Sequence, residues 1–300
     1  MGCHEWIKYF NNAVRMLFPD NISDDKTCIY KYVADNKAVS GIVEGCIWAT
    51  SIRSFWIAGS GSNAPDTSEG RLILEYVRDF LKHEISKTTL YHNELNRLIS
   101  TDDPYEAVFK NNQTCVVSLS VRGDSKYLWE NYAKNDGYII EFDKKAFLDS
   151  LLLKTPSCMY DSSIFHHASV EYNKHEHIRK MGKALEEMGH LISKDCCLTD
   201  NVKAEYILER LIFLSMFYKK EIYANEQEYR VALTVDSRRN TMTQEHLPMI
   251  YTPIESDGKK EFIHVFFSPE SISKIICANQ ARANEISEQI PSHIKLELHD

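Results

Sequence analysis

Glu226 and Glu228 stand two residues apart, with Arg230 two further on, where the chain turns into the apolar run Val231-Ala232-Leu233-Thr234-Val235. Because side chains on a strand alternate faces, this spacing predicts that Glu226, Glu228 and Arg230 point the same way. Like charges held that close raise one pKa, and an adjacent guanidinium offsets part of the effect. A carboxylate pair of this kind suits acid/base work or the stabilisation of an oxocarbenium ion. The same residues equally fit an edge strand whose charges keep it from pairing with another chain.

Glu141, Asp143 and Lys145 have the acid-x-lysine ending of a nuclease strand, and divalent ions bind clustered carboxylates. A second acidic residue on a preceding strand is missing from that pattern. His166, His167, His175, His177, Cys196 and Cys197 lack the spacing of zinc ligands. The segment 115–120 places Ser118 and Ser120 at alternate positions of a short strand, and Trp129 and Tyr132 fall on one helical turn.

The hydrophobic pattern supplies the elements that must position these groups. Strands are predicted over 27–33, 46–50, 115–120, 138–142, 168–172, 231–235, 262–267, 274–278 and 294–298. Helices are predicted over 5–18, 38–43 (closed by Gly45), 69–85, 90–99, 175–193, 201–218 and 281–289. The glycine-containing stretch 59–65 reads as a flexible loop and matches no phosphate-loop pattern. Strands and helices mix without regular alternation, which predicts an α+β fold over a doubly wound sheet. We expect one domain over 1–300, with a helical insertion at about 174–218 covering the sheet.

With 300 residues, 43% hydrophobic and 26% charged, the chain can bury a real core. A net charge of −8 argues against a broad non-specific grip on nucleic acid, and the local basic group Lys174, Arg179, Lys180 and Lys183 reads as the solvated side of a helix. Eight cysteines without a C-x-x-C pair point to a reduced, cytoplasmic protein. The N-terminus lacks a secretory pattern, and the apolar run 211–217 is too short to span a bilayer, so no membrane partner is expected.

Three blocks together resemble an uncharacterised bacterial family, a domain of unknown function met in mobile and phage-defence loci. They are Tyr30-Lys31-Tyr32 with Trp48, Ser51 and Phe55; Val117-Ser118-Leu119-Ser120 with Trp129, Tyr132, Ala133, Gly137, Glu141, Phe142 and Asp143; and Phe217, Lys220, Tyr223, Glu226, Glu228, Tyr229 and Arg230. The chain departs from that family after Phe55, where Trp56-Ile57-Ala58 stands in place of an Asn-Asp-Pro-Phe-Glu block; Asp103-Pro104-Tyr105-Glu106 looks like a displaced version.

A basic residue on the first strand, a Ser-x-Ser strand in the middle and a late Glu-x-Glu is also similar to the order in ADP-ribosyltransferases. Lys31 stands where that superfamily has Arg or His. The resemblance implies an ADP-ribosyltransferase-like central split β-sheet and NAD as substrate. Glu228 would stabilise the oxocarbenium ion formed when the nicotinamide–ribose bond breaks, and Glu226 would orient or deprotonate the acceptor. Lys31 would contact the dinucleotide phosphates, while Tyr30, Tyr32, Trp129 or Tyr132 would stack on nicotinamide. Ser118, Ser120 and Arg230 would complete the NAD site. The implied acceptor is a protein or nucleic acid, with room for a neutralising antitoxin. A metal-dependent nuclease is the rival enzyme, and a sensor or partner-binding module that holds NAD without turnover is the rival outside enzymes.

Overall fold

A computed structural model of the chain describes residues 27–57, 72–83, 90–100, 112–156, 158–193, 199–236, 252–258 and 260–299. The helix expected over 5–18, the loop at 59–65, Asp103-Pro104-Tyr105-Glu106 and the pair Cys196-Cys197 lie outside these residues.

Strand β1 (Cys28–Val33) leads into helix α1 (Asn36–Val43), whose first turn is capped by the Asp35 carboxylate accepting from Ala38 N. Gly45 ends that helix with φ +82°, a left-handed turn in which a Cβ would sit 2.6 Å from Phe267 O. Next come β2 (Cys46–Ser51), α2 (Ile52–Ile57), α3 (Leu72–His83), α4 (Leu90–Ile99) and β3 (Asn112–Ser120). Helix α5 (Lys126–Asn131) is capped by Ser125, and β4 (Tyr138–Asp143) passes into α6 (Lys144–Asp149) through the cap residue Asp143. A small ribbon, β5 (Leu153–Lys154) with β6 (Met159–Tyr160), precedes β7 (His166–Ser169), α7 (Lys174–Ser193) and α8 (Asp200–Ser215). The chain closes with β8 (Glu228–Asp236), β9 (Glu255–Ser256), β10 (Glu261–Phe266), β11 (Ile272–Cys277), α9 (Gln280–Ile286) and β12 (Lys295–Leu298).

The main sheet runs β12-β11-β4-β1-β3-β2-β10-β9, with β8 and then β7 added beside β3. Every pairing in it is antiparallel except β11 with β12, so the fold is α+β. Two expected boundaries shift around a single bridge. Strand β7 lies ahead of the expected 168–172, because its pairing with β8 ends at Ser169↔Tyr229 and Glu171 pairs instead with Tyr218. Helix α8 stops at Ser215 and not 218, because residues after it leave the helix to make that same bridge: Glu171 N donates to Phe217 O and Lys219 N to Glu171 O. Helix α8 packs against α3, α4 and α7, and its last turn together with the residues that follow it lays Phe213, Met216 and Phe217 on Val116, Ala168 and Ala232 of the sheet.

Strand β3 sets the geometry at the middle of the sheet. Strand β8 occupies one of its edges along the whole length, from Asn112↔Asp236 to Ser120↔Glu228. Two strands share the other edge. Strand β1 meets it only at Tyr30↔Ser120, whereas β2 meets it at Thr50↔Val116 and Ser51↔Cys115. Between those contacts β1 and β2 part, and residues 117–119 face the opening. Strand β8 is therefore interior, flanked by β3 and β7, and not the edge strand its charges also fitted.

Candidate active site

Directly opposed residues on antiparallel strands share a face, so Ser120↔Glu228 and Ser118↔Arg230 put all four polar side chains on one side of the sheet. Apolar clusters flank them on that side. Val116 and Ala232 pack under α8, and Tyr32 and Ile139 pack under Leu128 and Trp129. The polar group thus lies between these two clusters, at the opening between β1 and β2.

Glu226 reaches the same place by a route that strand alternation does not provide. It closes a 3-10 turn, Glu221–Glu226, and Gln227 takes the left-handed conformation (φ 40°, ψ 54°) before β8 begins at Glu228. Ser120 Oγ fixes the turn by donating to Glu226 O (3.0 Å), and Val121 N donates to Gln227 O (3.0 Å). The expected common direction of the two carboxylates holds, but a turn produces it.

Both carboxylates are buried, and each is met by cations. Lys219 Nζ donates to Glu226 Oε2 (2.5 Å) and to Glu228 Oε2 (3.1 Å). Arg230 grips Glu228 with Nε on Oε1 (2.7 Å) and Nη2 on Oε2 (2.9 Å), while its Nη1 donates to Met216 O. Tyr132 Oη donates to Glu226 Oε1 (2.9 Å), and Glu228 N donates to Tyr172 Oη (2.9 Å). Burial raises the Glu228 pKa, with Lys219 pulling against it and Glu226 adding to it. For Lys219, burial works against the ammonium, but Glu228 and Glu226 outweigh it and hold the pKa above the usual lysine range. Lys219 received no role from its position in the sequence. The early end of α8, which brings it in, leaves no mark in the hydrophobic pattern.

Lys31 belongs by alternation with Ile29 and Val33, which pack in the core of the other face. Its Nζ nevertheless ends at the opening, donating to Ser118 O at 2.7 Å. Burial, and next the charge of Lys260, lower its pKa to about 8.

These groups line one cavity of about 640 Å³, a size suited to a small-molecule ligand. Of the residues singled out in the sequence, Tyr30, Lys31, Tyr32, Ser118, Ser120, Tyr132, Glu226, Glu228 and Arg230 line it. Their parts differ. Ser118 hydrogen-bonds Glu228, and Tyr132 remains 45% exposed while its hydroxyl reaches Glu226. Ser120 is committed to the turn, Arg230 to Glu228, and Tyr32 Oη donates to Arg122 O (2.9 Å) while accepting from Ser125 N (3.1 Å). Trp129 is the exception to the expected NAD wall. It is buried in the cluster with Tyr32 and Leu128 and stacks on His299, with ring centroids 4.1 Å apart. The lining also includes Trp48 and Tyr223, which belong to the resembling blocks but were given no role, and Lys219 and Lys260, to which the sequence assigned nothing.

The carboxylate pair and its cations fall within a recognised stretch of the chain. Residues 128–231 match the family model "Protein of unknown function (DUF2971)". The DUF2971 stretch is less than half of the chain and carries Tyr132, Lys219, Glu226, Glu228 and Arg230. Tyr30, Lys31, Ser118 and Ser120 lie ahead of it. The resemblance to an uncharacterised family is supported to that extent. No curated protein and no solved structure matches the chain.

The nuclease-like residues are otherwise engaged. Glu141 accepts from Ser273 Oγ (2.7 Å) and pairs with Lys274, Asp143 caps α6, and Lys145 pairs with Asp149. Among the described residues, no group of three or more His, Cys, Asp or Glu is placed to hold a metal ion. His177 is packed near Tyr218 and hydrogen-bonded to Glu171 O, and His167 to Tyr229 Oη. Among the described residues no helix is long and apolar enough to cross a membrane.

Proposed function

We propose that this protein transfers ADP-ribose from NAD to a protein or nucleic-acid acceptor, as a cytoplasmic effector of the phage-defence kind. One observation carries the reading: Lys31, Ser118, Tyr132, Glu226 and Glu228, far apart in sequence, line a single cavity at the parting of β1 and β2. In the reaction the bond between ribose C1′ and the nicotinamide nitrogen breaks, and its electron pair leaves with nicotinamide. The acceptor's lone pair forms the new bond at C1′, and the acceptor proton goes to a base. Glu228, held by Arg230 and Lys219, offers the carboxylate that stabilises positive charge developing at the ribose. Glu226, with Tyr132 on one oxygen and Lys219 on the other, is the group assigned to the acceptor.

Incubating the protein with NAD and measuring released nicotinamide tests the reading. Release that depends on Glu228 supports it; none, from protein that binds NAD, refutes it.

The pairing of both carboxylates with buried cations favours one other reading, a module that binds a nucleotide without turning it over. A melting temperature raised by NAD with no nicotinamide released would be its signature.

A further inference from the structure

The cavity has a second end, away from the carboxylates. Trp48 on β2 lines it, 44% exposed, and lies flat on Phe262 of β10, with ring centroids 3.9 Å apart and planes 11° from parallel. Register explains this platform: Thr50↔Phe262 and Trp48↔His264 are cross-strand pairs, so Trp48, Thr50, Phe262 and His264 share one face. One face of the indole is therefore taken by Phe262. Lys260, exposed just ahead of β10, lines the cavity too, and its charge reaches Lys31.

Lys31 is the second observation. A lysine ammonium has three N–H donors, and a buried charge is normally paired. Among the described residues Lys31 has one hydrogen-bond acceptor, Ser118 O, and no carboxylate ion pair, although its side chain is half-buried. Two ammonium groups lining one cavity, beside an indole that is 44% exposed and that Phe262 backs on one face, have the chemistry to hold a phosphorylated aromatic base.

We infer that the Trp48–Lys260–Lys31 end of the cavity is a subsite for a nucleoside diphosphate, the base stacking on Trp48 and the phosphates lying between Lys31 and Lys260. The inference rests on the proposed reaction and deepens it. It fixes the direction of the dinucleotide, with its adenosine diphosphate end at Trp48 and its nicotinamide riboside end at Glu228.

Binding of ADP to the full chain, followed by titration calorimetry, tests the inference separately from the chemistry. Trp48→Ala and Lys260→Gln change exposed side chains and should each weaken ADP about tenfold, the order of one stacked base or one charge-assisted hydrogen bond. Trp48→Phe should restore most of the affinity. ADP affinity unchanged by both Trp48→Ala and Lys260→Gln, or no ADP binding by the wild type, overturns the subsite. In either case, nicotinamide release that still depends on Glu228 leaves the transferase reading standing, and its loss removes that reading as well. Circular dichroism of each variant separates a binding defect from unfolding.

Discussion

Lys219 stands between the two glutamates, its Nζ 2.5 Å from Glu226 Oε2 and 3.1 Å from Glu228 Oε2. With Arg230 on the far side of Glu228, the cluster has two positive and two negative charges, each residue no more than 6% exposed. Removing one member of such a group leaves a buried charge uncompensated.

Lys219→Met should accordingly destabilise the fold by about 3–5 kcal/mol near neutral pH. The direction with pH is a second check. Without Lys219, burial and the charge of Glu226 hold the Glu228 pKa above that of the unfolded chain, so the folded variant binds a proton more tightly. Its deficit should shrink as pH falls. Urea unfolding at pH 7.5 and pH 5 reads both effects; an equal deficit at the two values would mean that Lys219 acts by packing alone.

Lys31 titrates the other way. Its folded pKa is about 8 against an ordinary 10.5, so between those values the unfolded chain holds a proton that the folded chain has released. Its contribution to stability is fully present above 10.5 and is lost as pH falls through about 8. The stability of the wild type relative to Lys31→Met should therefore rise over that window and be lower below it. Nucleotide binding has the opposite slope, because the phosphates need the charged lysine. ADP affinity should fall as pH rises past about 8, and Lys31→Arg, which stays charged, should flatten that fall.

Glu226→Gln separates the two glutamates. It removes a charge facing Tyr132 and Lys219 but leaves the Arg230–Glu228 pair intact. Hydrolysis of NAD by water should drop by less than about tenfold, while transfer to an acceptor should drop by about 100-fold, the scale of a general base. Parallel assays of nicotinamide release and of acceptor labelling measure the ratio; equal losses would remove the division of labour.

Much of this architecture was legible in the sequence because it rests on local pattern. Apolar runs at 115–120 and 138–142, the first with hydroxyls at alternate positions, marked β3 and β4, and Gly45 marked the end of α1. The Ser-x-Ser and Glu-x-Glu spacings led to residues that do line one cavity. What escaped depends on tertiary pairing. Gln227's left-handed turn replaces the strand that would have carried Glu226. The Glu171↔Tyr218 bridge ends α8 and delivers Lys219, and neither partner announces it by composition. Trp129 and Tyr132 share one turn, yet Trp129 faces His299 and the core while Tyr132 faces Glu226, a distinction of side that residue type cannot make. Trp48 was visible as a strand residue, but its stacking on Phe262 needs the β2–β10 register.

The most direct measurement is nicotinamide release from NAD by wild type and Glu228→Gln, with circular dichroism on both. The substitution removes a charge at nearly constant shape and leaves Lys219 and Glu226 paired, while Arg230 keeps only a neutral amide in place of its carboxylate, so the variant should melt lower than the wild type yet remain folded at the assay temperature. Expected is a loss of on the order of 100-fold or more in rate with an unchanged spectrum at the assay temperature. Full activity in Glu228→Gln, or activity lost only together with the fold, would contradict the catalytic role and leave the carboxylate pair as part of a buried charge network.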